Sequence, residues 1–244
     1  MIRNIILTSI KLINALSLRV SKLFKSGYQI VIPYATYAPW ALDQKFLEVF
    51  NKVKKNSLVN IYQCWELWKL TDETEKIFGD IIEIGVYRGA TSAIMGTRLK
   101  LNDSKSTLFC CDTFEGVVKA SKDDNFYKGG EHKDTSVEFI ENLLGTELKL
   151  SGFKLLKGVF PDETGEQVEN NKFRLCHIDV DTYQSGKEIL DWIWEKMSQG
   201  GTIIFNDYGY PRTQGITKLV NEYSKGKDCI TLHNLNGNAI MIKF

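Results

Sequence analysis

At 244 residues, with 31 basic against 30 acidic side chains and a net charge of +1, the chain has the size of one α/β domain with an added segment. Its charge balance demands neither a nucleic acid nor a strongly acidic partner. Five cysteines without a C-x-x-C pair exclude a disulfide framework and fit a reducing cytoplasm, and His132, His177 and His233 are too scattered for a local zinc motif.

The first 24 residues contain no acid. Ile2, Ile6, Ile10, Ile13, Leu16 and Val20 recur at helical spacing, with Arg3, Lys11, Arg19 and Lys22 elsewhere on the wheel, so residues 1–30 are read as an amphipathic N-terminal helix. Lys11 interrupts the apolar stretch and no small-x-small site closes it, so neither a bilayer span nor a cleaved leader is expected. Two readings of the helix stay open: packing on the domain or on a second subunit, and peripheral attachment to the inner face of an anionic membrane. Residues 41–50 and 58–78 carry apolar side chains three and four apart and predict two more helices, making 31–78 a helical cap region ahead of a catalytic domain at 79–244.

Strand-like runs follow at 80–84, 107–111, 153–156, 173–178, 202–205, 229–232 and 239–244. The first five alternate with helical segments at βαβ spacing, while the loop 234–238 is too short for a crossover helix. The expectation is a Rossmann-like doubly wound α/β fold: a mostly parallel seven-stranded sheet closed by a C-terminal antiparallel hairpin. A dinucleotide-binding sheet would continue through further crossovers.

The first strand runs into EIGVYRG at 83–89 and then a helix through Ser92, which is read with the turn as cofactor-binding. Gly85 and Gly89 allow a sharp turn and close approach of a ligand, and the helix start offers free N–H groups. The spacing lacks the G-x-G-x-x-G of a pyrophosphate turn. Asp112 ends the second strand, where an acid can accept both ribose hydroxyls. The longest loop, 117–131, is read as a lid that orders over a ligand. The runs ending at Asp179 and Asp181, and at Asn206 and Asp207, place oxygen-bearing side chains at neighbouring strand tips, where ligands of open α/β sheets bind and where a hard cation would be held. If the strand continues, Asp179 and Asp181 share one face, close enough that both being ionised is unfavourable without a cation. His177, two before Asp179, is either a proton relay or a packed, hydrogen-bonded core histidine. Tyr34, Tyr37, Trp40, Tyr183, Tyr208 and Tyr210 are candidates for an aromatic acceptor pocket, with core packing as the alternative for each. Arg88 is either a solvated charge or a reader of an anionic group.

Together GDIIEIGVYRG at 79–89, CDTFEG at 111–116, IDVDTY at 178–183 and IIFNDYG at 203–209 resemble the macrocin O-methyltransferase family of class I S-adenosylmethionine-dependent enzymes, over residues 34–223. That resemblance implies O-methylation of a sugar hydroxyl on a glycan or glycosylated small molecule, Mg²⁺, and often a homodimer. It implies Glu83, Gly85 and Gly89 around the cofactor, Asp112 on its ribose, Asp179 as metal ligand and Asp181 as general base. Asn206 and Asp207 would supply the other metal ligands, with Asn206 standing where the family carries Asp, a loss of one negative charge that should weaken cation binding. Two competing readings are a nucleotide-sugar oxidoreductase and a non-catalytic scaffold that docks on membrane or partner.

Overall fold

The computed structural model describes residues 2–33 and 37–244. Tyr34, an acceptor-pocket candidate, lies outside the described residues. The helix over the first residues is α1, Ile2–Leu23. Asn14 and Ser17 on one of its faces bind the returning chain: Ile32 N donates to Asn14 Oδ1 at 2.8 Å and Ile30 N to Ser17 Oγ at 2.7 Å. Of the expected apolar stripe Ile10 is half-buried, while Ile6, Ile13, Leu16 and Val20 are exposed, as are Ile5, Leu12 and Leu23 alongside. No helix among the described residues is long and apolar enough to cross a membrane.

Two capped helices follow. Asp43 caps α2, Gln44–Val53, by accepting from Phe46 N, and its other oxygen accepts from the indole of the fully buried Trp68 at 3.0 Å. Asn60 and Gln63 form a reciprocal capping box at the start of α3, Ile61–Glu73. Phe46, Trp65 and Trp68 pack edge-on and tilted at centroid distances of 5.1 and 5.7 Å, and burying each such ring contributes about 2–3 kcal/mol.

Among the described residues the sheet has seven strands: β1 Asp80–Ile84, β2 Leu108–Asp112, β3 Phe153–Lys157, β4 Phe173–Ile178, β5 Met197–Phe205, β6 Cys229–Asn234 and β7 Asn238–Lys243. Their order is β3-β2-β1-β4-β5-β7-β6, all parallel except β7, which runs antiparallel to both β5 and β6. The hairpin forms because residues 235–237 leave no room for a crossover. Helices α4 (Ala90–Leu101), the short α5 (Val137–Glu141), α6 (Tyr183–Ile193) and α7 (Gln214–Tyr223) cover the sheet, α4 and α5 together with α2 and α3 on one face and α6 with α7 on the other. Where alternation with helices was expected throughout, the β3–β4 connection carries only the 3₁₀ segment Gly165–Val168.

Both faces being covered explains why the central strands are apolar without alternation. Side-chain parity still sorts them: Ile81, Leu108, Cys110 and Leu175 join the cluster under α2, α3 and α4, whereas Ile82, Ile84, Cys111, Cys176 and Ile178 join the cluster under α6 and α7. By the same parity Glu83 and His177 face the first layer, directly paired in register. Strand order reverses between β1 and β4, and a cleft opens at the carboxyl ends of the strands on both sides of that switch point.

Candidate functional site

The cleft is a cavity of about 650 Å³. At its β1 end the chain turns at Gly85, with φ of +90°, where an added Cβ would lie 1.9 Å from the Asp179 carbonyl oxygen, so only glycine fits. Asp112 organises the same turn. Its Oδ2 accepts from Val86 N at 2.7 Å and Tyr87 N at 2.8 Å, and its Oδ1 accepts from Phe114 N at 2.7 Å. Gly85, Asp112 and the first residues of α4, Ala90 and Thr91, line the cavity.

Glu83, Gly89 and Ser92, expected around a cofactor, are not among the lining residues. Glu83 is fully buried behind the turn: Ser92 Oγ donates to Oε2, and Oε1 lies 2.8 Å from His177 Nδ1. The parity of β1 aims Glu83 into the helical layer, where α4 brings Ser92 one turn past Gly89. Burial opposes the imidazolium of His177, but the Glu83 hydrogen bond and charge outweigh it and hold its pKa above the usual value. Of its two readings, His177 has the geometry of the buried, hydrogen-bonded one.

At the β4 and β5 end, Asp179, Asp181 and Asp207 bring carboxylate oxygens within 4.8 Å of one another. The strand does not continue through them. β4 ends at Ile178, and Asp181 and Asp207 adopt left-handed backbone, φ +62° and +64°, a strained conformation for a side-chain-bearing residue. The turn, not the pleat, brings Asp181 back beside Asp179. Burial pushes the Asp179 carboxyl up to about 6, with the Asp181 charge adding and His177 and Asn206 opposing. Burial followed by the charges of Asp179 and Asp181 raises Asp207 well above the usual range, and burial raises Asp181. Three acids crowded in a partly buried site form a donor set suited to a hard divalent cation.

Asn206, expected as a metal ligand, turns its Oδ1 to Gln63 Nε2 at 2.5 Å, and its amide holds the Asp179 pKa down against burial. Its oxygen is thus engaged by the capping residue of α3. Gln63 Nε2 also reaches Asn238 Oδ1 at 3.0 Å, whose amide donates to Glu66 at 2.5 Å, so a chain of amides ties α3 to the β6–β7 hairpin behind the carboxylates.

The expected lid, 117–131, is built into the wall. Thr182 and Ser185 hydroxyls both donate to Val118 O at 3.1 Å, the buried Asp124 accepts from Tyr183 N at 2.9 Å, and Lys218 pairs with Asp123 at 2.8 Å. From this wall Phe126 and Tyr127 line the cavity, as does His132 just past the wall's end. Tyr127 stands beside Asp181, and burial followed by that neighbouring charge raises its phenol pKa. Among the aromatic candidates Tyr210 alone lines the cavity within the described residues. Tyr183 and Tyr208 donate to Glu222 and Asn221, Trp40 packs edge-on against Tyr62, and Tyr37 is exposed. Arg88 lines the cavity and pairs with Asp134. Gln63 and Tyr127 went unnamed from sequence. The N-x-x-Q capping box could have flagged Gln63; nothing in the sequence flagged Tyr127.

Comparison with known proteins adds three findings. The family model described as macrocin-O-methyltransferase matches residues 51–238. Demethyldecarbamoylnovobiocin O-methyltransferase of Streptomyces niveus is 28% identical over 162 residues, 62% of this chain and 59% of its own. An 8-demethyl-8-(2,3-dimethoxy-alpha-L-rhamnosyl)-tetracenomycin-C 4'-O-methyltransferase of Streptomyces olivaceus is 26% identical over 160 residues, again 62% and 59%. The matched part thus spans 59% of the length of these curated relatives. Among solved structures the O-methyltransferase NovP superposes with a TM-score of 0.61 at 20% identity, covering 77% of this chain and 82% of its own, a likeness of fold.

Proposed function

The chain belongs to the macrocin-O-methyltransferase family, and on that premise we propose that it is an S-adenosylmethionine-dependent, Mg²⁺-assisted O-methyltransferase of a sugar hydroxyl on a glycan or glycosylated small molecule. The observation that carries this reading is one cavity with a ligand-ready glycine turn at one end and three convergent carboxylates at the other. When bound, the donor supplies an electrophilic sulfonium methyl and the cation acidifies a coordinated hydroxyl.

The chain's own groups divide the rest of the work. Gly85 and the start of α4 let backbone come close to the donor, and Asp112 accepts a ribose hydroxyl through Oδ1, which keeps one acceptor site beyond its Phe114 bond, while Oδ2 is filled by the Val86 and Tyr87 N–H groups. Asp179 and Asp207 hold the cation. Asp181, oriented by its left-handed turn and by Tyr127, takes the acceptor proton, a contribution of about 10²–10⁴-fold. Gln63 fixes Asn206 beside Asp179. The cap region 31–78 contributes residues 56–60 and Gln63 to the cavity wall, where they would position the acceptor against the donor.

The test is incubation with labelled S-adenosylmethionine and a panel of glycosylated acceptors, with and without chelator. Label on a sugar oxygen that disappears with chelator is expected. Thermal stabilisation by NAD but not by S-adenosylhomocysteine would replace this reading with a nucleotide-sugar oxidoreductase.

A further inference from the structure

Independently of methyl transfer, we propose that α1 is a docking element for anionic phospholipid bilayers, lying in the interface with its apolar face down. Ile5, Leu12, Leu16 and Leu23 form one row of that face and Ile13 and Val20 the next, each between 44% and 77% exposed. These six side chains share no cluster with the domain core. The return segment binds Asn14 and Ser17, and so occupies a different side of the helix. Water faces the apolar rows, an arrangement that persists in solution at a cost unless something covers them.

Charge selects the occupant. Five of the 31 basic residues, and none of the 30 acidic ones, precede Asp43, so the first 42 residues are purely cationic and the remainder of the chain is net acidic. Arg19 borders the apolar row at spacings of three and four from Leu16 and Leu23, and Lys22 follows it by three. A helix with exposed apolar rows, a basic flank and no acid fits an anionic headgroup layer, whereas a second copy of α1 would bring like charges together. The helix falls short of a span, so it rests on the membrane rather than crossing it.

Flotation of the full chain with vesicles tests this. Vesicles of phosphatidylcholine with about one-third phosphatidylglycerol should carry the protein, and pure phosphatidylcholine should not. Binding should collapse in about 1 M salt, where the screening length is roughly 3 Å. Combining Lys11→Gln, Arg19→Gln and Lys22→Gln should weaken binding roughly hundredfold, at about fivefold per basic residue. Leu12→Gln with Leu16→Gln should abolish it while leaving the melting temperature unchanged, because neither side chain touches the core. Equal binding to neutral vesicles, no binding to anionic ones, or full binding by the Leu12/Leu16 double variant would overturn the proposal. So would a dimer in sedimentation that this double variant dissociates, which would assign the face to a second copy.

Discussion

Acids behind the cleft and acids within it meet opposite circumstances. Glu83 is fully buried behind the glycine turn, each of its oxygens matched by a partner, His177 and Ser92. Asp179, Asp181 and Asp207 are crowded together, with burial and mutual repulsion raising the pKa of Asp179 and Asp207. A buried carboxylate with matched partners serves stability and shape, and removing one side of the match is what destabilises. Carboxylates gathered without a matching cation make the fold less stable than neutral side chains would, and the imbalance is relieved by whatever binds there.

Substitutions can break this contrast. Asp181→Ala should lower methyl transfer about 10³-fold with no loss of melting temperature; a drop under about tenfold would remove it as the base. Glu83→Ala should do the reverse, costing about 3 kcal/mol in denaturant unfolding by leaving His177 and Ser92 without their acceptor, and weakening donor binding only through a loosened turn. Asp207→Asn sharpens the comparison further. With chelator present it should stabilise the protein by about 1 kcal/mol, because one repelling charge is gone, and it should eliminate the thermal shift produced by Mg²⁺.

The pH dependence follows the same sign. The folded-state pKa of Asp179, about 6, stands above its ordinary 3.8, so folding favours the protonated form. The cation-free protein should gain stability as pH falls from above 6 toward about 4, with the gain lost again as pH rises through 6. Cation-induced stabilisation should fade over the same descent, because the ion must displace that proton. The smallest effect belongs to Asn206→Asp, which adds a charge near the cluster and should tighten Mg²⁺ binding by about threefold in calorimetry. Unchanged affinity would mean that the Gln63 bond keeps position 206 away from the ion.

Much of this arrangement is legible in the chain before folding. Apolar runs that stop at Asp112, at Asp179 and at Asn206 declare buried strands with polar tips, and the short 234–238 loop declares the hairpin, because period, length and loop span are local properties. The tips were legible as places; the traffic of side chains around them was not. Asp179 and Asp181 were expected to meet through the pleat, and they meet through a left-handed turn instead. Residues 117–131 have the composition of a mobile lid, yet the buried Asp124 and the hydroxyls of Thr182 and Ser185 hold them as wall.

By itself, the amino-acid order determined which segments become strands and helices, where glycine must turn the chain, and which acids stand at strand ends, since each depends on neighbours within a few residues. Only tertiary structure decided which face Glu83 would take, that Gln63 would engage Asn206 from 143 residues away, and that Tyr127 would reach Asp181. Those outcomes depend on how layers stack and which distant donor arrives first at a buried acceptor, and such pairings have no local signature.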